Sequence, residues 1–384
     1  MAFGDRPILM KIALVHDFLA QEGGAERVLR AFHDAWPEAP TFTLFHDRDR
    51  AHPAFLEWDV RTTFIQKLPG GLRHYRWYLP LMPAATESHN LSDFDLVLSS
   101  SSAFSKGVIV SPEAVHISYC HTPTRYLWTD THSYVEDLRS PGIVKLALPP
   151  VLSYLRMWDR AAAERVDKFV ANSQTVRRRI EKYYGRTAEV IHPPVDVGNF
   201  SVAERPGNFY LVGGRLVPYK RFDLVVRAFS KLGIPLKVFG EGPELENLRE
   251  IAKPNVEFLG KVSESTKAEL YRSALAFIHP HIEDFGITAI EAMASGRPVI
   301  ALPQGGATET IVPGITGEFL EDQSWENLAH HVIRFDPSRY DSKRIRAHAA
   351  QFDASVFKEK MKQFVEQSWK DRETIRLRAH QPLV

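Results

Sequence analysis

Two carboxylates, Glu283 and Glu291, bracket a glycine in the run Glu-Asp-Phe-Gly-Ile-Thr-Ala-Ile-Glu-Ala-Met-Ala that ends at Ala294. Gly286 reads as the start of a helix. Such a start offers unpaired backbone N–H groups and the positive end of the helix dipole, which suits a phosphate. The N–H groups of Ile287 and Thr288 would face that phosphate, with Phe285 and Gly286 lining its approach. Glu283, just before the helix, and Glu291, within it, could then hold hydroxyls on either side. A phosphate flanked by two polyols is a sugar nucleotide. The same spacing also fits an ordinary amphipathic helix with one solvated Glu in a turn and another on its exposed face.

A second group of residues could serve a diphosphate. In Gly213-Gly214-Arg215-Leu-Val-Pro-Tyr-Lys220-Arg221 the glycines allow a tight turn, and Arg215 and Lys220 put two cations after a strand. A guanidinium offers a fork of donors to phosphate oxygens and an ammonium a mobile point charge. Together they could offset the charge that develops as a sugar leaves. The plain alternative is a glycine turn and a basic helix start, with Arg221 as an exposed helix residue. Gly23-Gly24 also precedes a helix, but it lacks the Gly-x-Gly-x-x-Gly spacing and the following acidic residue of a dinucleotide site, so a nicotinamide-dependent dehydrogenase is not expected.

The elements that must position these groups alternate strand and helix, the mark of parallel sheets covered by helices. Strands are expected at Lys11–His16, Asp95–Ser99, Val115–His121 and Lys168–Asn172, with a helix from Glu26 to about Ala35 and Ser173 capping a basic helix. Pro193-Pro194 and the polar stretch Val197–Gly207 read as a linker. A second series follows at Phe209–Gly213, Leu236–Gly240, Val256–Gly260, Leu275–His279 and Pro298–Ala301. The segment Phe352–Trp369 is amphipathic. The expected division is residues 1–196, 197–350 and a C-terminal helix in 351–384, with ligands beyond the carboxyl ends of the strands.

At 384 residues the chain is long enough for two domains. Its 44% apolar and 25% charged content is that of a globular enzyme, and a net charge of +1 argues against nucleic-acid binding by bulk charge. The one cysteine, Cys120, permits no internal disulfide and fits a reducing compartment. No run approaches the ~20 apolar residues of a membrane span, and the first residues lack the pattern of a signal peptide. A cytoplasmic protein is expected, with residues 1–9 as a leader or an added piece before the first strand.

The glutamate pair, the Gly-Gly-Arg-Leu…Lys run and the string Cys120-His121-Thr122-Pro123-Thr124-Arg125-Tyr126-Leu127-Trp128 together resemble retaining glycosyltransferases of family 4 with the GT-B architecture. The resemblance extends over nearly the whole chain and points to bacterial GDP-mannose-dependent mannosyltransferases of surface-polysaccharide biosynthesis. It implies an α/β fold of two Rossmann-like, doubly wound domains facing across a cleft, with the C-terminal helix packing back on the first. It implies transfer of a hexose, with mannose from GDP-mannose the leading donor, to a glycan or polyprenol-linked acceptor. UDP-sugar donors and a sugar-nucleotide epimerase of the same architecture are the alternatives. Gly23, Gly24, Gly214, Arg215, Lys220, Glu283 and Glu291 would bind the donor. His121 would meet the transferred sugar through its imidazole or its backbone carbonyl. His16, Asp17, Arg125 and Tyr126 would line the acceptor side. His279, His281 and Glu283 have the makings of a zinc set, but loops of this family carry similar residues without metal, and no Asp-x-Asp pair stands where a metal-dependent transferase needs one; no metal or other cofactor is expected.

Between Asp59 and Glu87 there is no acidic residue, whereas Lys67, Arg73 and Arg76 mix with Tyr75, Trp77 and Tyr78. Basic and aromatic residues together suit a membrane interface. Residues 61–82 are therefore expected either to dock on the inner leaflet or to form a basic loop partly buried on the first domain.

Overall fold

The computed structural model describes residues 10–70, 72–129, 131 and 142–372; the reading of residues 1–9 and the end of the C-terminal segment, 373–384, lie outside them. The chain divides into two units, one running to His192 and resuming at Phe357, the other from Pro193 to Val356.

The first unit is built on a parallel sheet of β1 (Ile12–His16), β2 (Thr41–Thr43), β3 (Val60–Thr62), β4 (Leu96–Ser101), β5 (Val115–Cys120), β6 (Lys168–Ala171) and β7 (Ala188–Val190), in the order β3-β2-β1-β4-β5-β6-β7. β1, β4 and β5 are buried along their whole length, as central strands covered on both faces must be. The second sheet contains β8 (Tyr210–Gly213), β9 (Leu236–Phe239), β10 (Val256–Gly260), β11 (Phe277–His279), β12 (Val299–Ala301) and β13 (Gly317–Phe319), in the order β10-β9-β8-β11-β12-β13. Each sheet reverses its winding once, between β1 and β4 and between β8 and β11. A doubly wound sheet opens a crevice at that point, beyond the strand ends.

The helices that matter for the sites are α1 (Gly24–Ala35), α2 (Gly142–Glu164), α3 (Gln174–Tyr184), α4 (Phe222–Leu232), α5 (Glu264–Ser273), α6 (Ile287–Ala294) and α7 (Ala354–Lys370). Ser173 caps α3 by accepting from the Val176 N–H. In α7, Phe357, Met361 and Val365 are buried at a spacing of four, one stripe of a helix. That stripe packs into the core of the first unit, with the Phe357 ring 5.8 Å from Phe32 and 5.7 Å from Tyr119. Each such side chain contributes about 1.5–3 kcal/mol by burial, enough to hold the helix there. No helix among the described residues is long and apolar enough to cross a membrane.

The segment read as a linker is structured. Val195, Val197 and Phe200 are buried in the core of the second unit, and the Arg346 guanidinium donates to the carbonyls of Phe200 and Val197. Val195 and Asp353 form a short parallel bridge. The polar sequence after the double proline concealed three apolar anchors, too widely spaced to read as a strand or helix.

Each unit also buries a neutral histidine. Burial, helped by Arg165 and Arg186, pushes His116 down to about 3, and burial with the neighbouring His281 does the same to His279. The unfolded rings take up a proton below their ordinary value of about 6.5, while the folded rings do not until about pH 3, so stability falls as pH drops through this window. Acidification to about pH 5 should cost each unit about 2 kcal/mol from this source. Calorimetric melting across this range should show the fall; a flat Tm would refute it.

Candidate active site

In the second unit the expected residues gather at the β8/β11 switch. Gly214 leaves β8 with φ 133°, a conformation that favours glycine, and a Cβ there would stand 3.2 Å from the Lys220 ammonium. Lys220 ends a short 3-10 turn, Pro218–Lys220, and its Nζ lies 2.7 Å from Glu283 Oε1. The two side chains are 10% and 19% exposed, so the pair is screened by little water. Arg221, expected as an exposed helix residue, is instead the half-buried residue before α4, paired with Asp223 at 3.1 Å. Its φ of 51° makes it the one non-glycine in a left-handed conformation among the described residues. Such a turn costs roughly 1–2 kcal/mol. The outlier sits directly after Lys220.

Two histidines back the carboxylate. His281 Nε2 is 3.0 Å from Glu283 Oε1, and the His279 and His281 rings are 4.3 Å apart. Burial would by itself raise the Glu283 carboxyl, but the contact with His281 and the charge of Lys220 hold it well below the usual carboxylate range. Burial lowers His281 as well, against the pull of Glu283. Ligand atoms of His279, His281 and Glu283 lie within 4.8 Å of one another, a set that could hold a metal ion. Lys220 already places a cation on that carboxylate, and a divalent ion there would have to displace or face an ammonium.

Gly286 caps α6 in a left-handed conformation, φ 93° and ψ 59°, that other residues adopt only with strain. Having no side chain, it leaves the first N–H groups of α6, at Ile287 and Thr288, without a side-chain cap. The Thr288 hydroxyl is buried and has no hydrogen-bond partner among the described residues. Buried orphan hydroxyls are rare and call for a ligand or water. Glu291, 1% exposed, accepts from Lys267 Nζ at 3.0 Å and Tyr271 OH at 3.2 Å, both on α5. Neither glutamate is solvated as a plain amphipathic helix would leave it. Arg215 is exposed after β8. Phe285, expected to bind the donor, is 4% exposed, and its ring packs on Phe352 at 5.6 Å.

In the first unit the histidines of two strand ends meet on one hydroxyl. Ser100 Oγ is 3.1 Å from His16 Nδ1 and 2.8 Å from His121 Nε2. β1 and β4 pair His16 with Ser100 across the switch, and β5 delivers His121 beside them. His16 Nε2 faces Glu26 Oε1 at 3.9 Å, and a Cβ on Gly23 would lie 3.0 Å from Glu26 Oε2. The glycine loop and both histidines thus form one cluster, joined by Ser100 and Glu26, two residues not singled out from the sequence. The serine run Ser99-Ser100-Ser101-Ser102 at the end of an apolar strand was the available signal for Ser100. A hydroxyl has one proton to donate and two lone pairs to accept with, so at most one of the two histidines accepts from Ser100 and at least one donates to it. If the His16 proton sits on Nε2, toward Glu26, then His121 is the donor and carries a proton on Nε2.

The Asp17 carboxylate, expected on the acceptor side, accepts the backbone N–H groups of Ser102, Ala103, Phe104 and Ser105 at 2.6–2.9 Å, fixing the loop after β4. The His121 carbonyl, one of the two groups expected to meet a sugar, accepts from Asn172 Nδ2 at 2.9 Å. Arg125 and Tyr126 open the short helix Arg125–Trp128. That helix is clamped by Asp159 of α2, which is 1% exposed and receives Thr124 Oγ1, Trp128 Nε1, Tyr184 OH and the buried Lys106 ammonium. Asp159 falls on the buried stripe of Leu152, Leu155 and Ala162, where a lone carboxylate in an apolar stripe was legible as a sign of a buried partner.

Residues 22–199 match the Glycosyltransferase Family 4 model and residues 200–352 the Glycosyl transferases group 1 model. The D-inositol 3-phosphate glycosyltransferases of Mycobacterium tuberculosis (strain H37Rv) and Mycobacterium bovis (strain BCG Pasteur) are 29% identical over 230 residues, 50% of this chain and 47% of theirs. The chain spans about half the length of the curated relatives it matches. Sucrose-phosphate synthase from Thermosynechococcus elongatus shares the fold with a TM-score of 0.71 at 19% identity, covering 94% of this chain and 99% of its own. Anabaena HepE in complex with UDP and glucose does so with a TM-score of 0.68 at 17% identity, covering 93% and 99%.

Proposed function

The chain belongs to the family 4 glycosyltransferases of GT-B type, and we propose that it moves a hexose from a nucleotide-sugar donor to a glycan or lipid-linked glycan acceptor. The observation that carries this reading is the poorly solvated Lys220–Glu283 pair, set at the switch point beside a helix start whose Thr288 hydroxyl has no hydrogen-bond partner among the described residues. Lys220 and Arg215 neutralise the diphosphate, and the Ile287 and Thr288 N–H groups meet its oxygens. Glu283, held ionised, accepts from sugar hydroxyls. Glu291 receives the ribose hydroxyls alongside Lys267, since a carboxylate has about four acceptor positions. On the resemblance of its string, His121 contacts the transferred sugar. Lys220 supplies the charge that a metal ion would otherwise bring, so the reaction is metal-independent. Its proposed place is the cytoplasmic face of a membrane, with residues 61–82 toward the lipid.

Transfer proceeds with retention. Asp17 is committed to four backbone N–H groups, which argues against it as the nucleophile of a double displacement. We favour front-face attack: the bond from the anomeric carbon to the phosphate oxygen breaks, the acceptor oxygen bonds to that carbon on the same face, and the leaving phosphate takes the acceptor's proton. Stabilisation of that phosphate then supplies much of the rate.

The donor proposed is GDP-mannose, on the resemblance of residues 121–128 and of Pro193–Asp196. A UDP-sugar is the second reading, supported by the likeness to HepE, whose structures hold UDP and UDP-glucose. Calorimetric titration of GDP, UDP, ADP and their sugars, without added metal, tests both. Selective GDP and GDP-mannose binding is expected; selective UDP binding would discard mannose, and binding of none would discard the transferase reading. Incubation with donor alone should yield at most slow hydrolysis, whereas an isomeric nucleotide sugar would mean an epimerase.

A further inference from the structure

His279 and His281 are used in transfer only as a backing for Glu283, yet the three together make a second kind of site. Their ligand atoms lie within 4.8 Å of one another, and no other three His, Cys, Asp or Glu side chains among the described residues gather in this way. Both rings are 1% exposed. The Nδ1 atoms of both are buried and have no hydrogen-bond partner among the described residues. Buried polar atoms in that state are rare and call for an occupant or a function. Neither ring is tied through Nδ1, so each can turn a lone pair toward an ion without breaking a bond there.

The main chain around the three is fixed. The Pro280 carbonyl, between the histidines, accepts from Gln323 Nε2 at 2.9 Å, and the Glu283 carbonyl accepts from the Gly306 N–H at 2.9 Å. His281 stands edge-on to the Phe222 ring at 5.8 Å. Gly286 leaves room beside them: a Cβ there would stand 3.4 Å from His279 Nε2 and 3.8 Å from Glu283 Oε2. Tetrahedral zinc, with bonds of about 2.0–2.2 Å, would draw the donors to roughly 3.3 Å apart, a change that side-chain rotation can supply. The Glu283 side chain is 19% exposed, which gives an ion a way in. Two imidazoles and a carboxylate suit Zn²⁺, whereas Mg²⁺ prefers oxygen ligands.

Lys220 decides what such an ion would do. Its ammonium lies 2.7 Å from Glu283 Oε1, and a divalent ion on the same carboxylate would repel it in a poorly solvated site. We propose that His279, His281 and Glu283 form an inhibitory site for Zn²⁺, which the ion enters by displacing the Lys220 ammonium from Glu283. Binding follows from the three side chains themselves. Inhibition rests on the transferase reading, in which Glu283 serves the sugar and Lys220 the diphosphate: the ion takes the first and drives off the second.

Zinc chloride titrated calorimetrically into the metal-free full chain, with no nucleotide present, should show one ion per chain. Lys220→Met removes the competing charge and should tighten binding about tenfold or more. His281→Leu and His279→Leu should each weaken it by at least the about 10–100-fold that loss of a supporting partner costs a metal site. Melting curves show which variants are folded. Mg²⁺ should not bind. In the transfer assay Zn²⁺ should inhibit at concentrations that match the calorimetric affinity, and EDTA should restore turnover. Absence of zinc binding, binding unaltered in the folded histidine variants, or binding no tighter in Lys220→Met overturns the proposal. So does zinc that occupies the site without slowing turnover. Nucleotide titration of the zinc-free protein reads the transferase assignment separately: its failure discards that reading, while the zinc titrations still decide the site.

Discussion

Lys220→Ala should lower turnover by about 10²–10³-fold, the usual cost of removing one preorganised donor from developing charge. The ammonium is only 10% exposed and sits 2.7 Å from Glu283, so no bulk-water cation replaces it at full strength. Nucleotide affinity should fall much less than kcat, because the helix start and Arg215 remain. The pH profile should move too. Glu283 is held well below the ordinary carboxylate range by His281 and Lys220 working against burial. Removing Lys220 deletes one of those supports, so the Glu283 pKa rises and the acid limb of kcat shifts to higher pH. Steady-state kinetics with the donor identified by calorimetry checks both effects. Turnover within about threefold of wild type would remove Lys220 from the charge-stabilising role.

Asp159→Ala should destabilise the first unit by about 3–5 kcal/mol, because it strands the buried Lys106 ammonium without its counter-charge. Four side chains converge on that carboxylate, and two of them, Thr124 and Trp128, belong to the string after His121. Loss of the clamp should therefore disturb activity beyond the loss of stability. Urea unfolding followed by tryptophan fluorescence measures the first effect, and turnover under conditions where the variant is fully folded measures the second. Nucleotide binding should be unchanged. The double variant Lys106→Met/Asp159→Leu should recover much of the stability, since an apolar pair of similar volume removes the stranded charge. A loss under about 1 kcal/mol in Asp159→Ala would mean that Lys106 finds another partner and that the clamp is dispensable.

The Asp159 clamp also changes how the string His-Thr-Pro-Thr-Arg-Tyr-Leu-Trp is understood. As sequence it suggests a sugar-binding loop with several contact residues. In the fold, Thr124 and Trp128 hold the loop, Thr122 is tied to Arg179 at 3.1 Å, and the His121 carbonyl is tied to Asn172. Most of the string is scaffold for one imidazole. The part of the donor assignment that leans on this string accordingly leans on loop architecture as much as on sugar contacts.

Features set by near neighbours were legible from the sequence. The strands at both switch points show as apolar runs, Ser173 caps α3 through a bond to a residue three positions on, and Gly286 marks the start of α6 because only the local backbone decides it. The stripe of α7 follows from helical spacing alone. What only the tertiary structure decided are the pairings between distant segments. His16 and Ser100 are 84 residues apart, Lys106 and Asp159 are 53 apart, and Lys220 meets Glu283 from another strand end. Which strands lie side by side, and so which ends share a crevice, depends on the order of the whole sheet. That order is chosen by the sum of many apolar contacts, and no local pattern around Ser100, Asp159 or Lys220 encodes it.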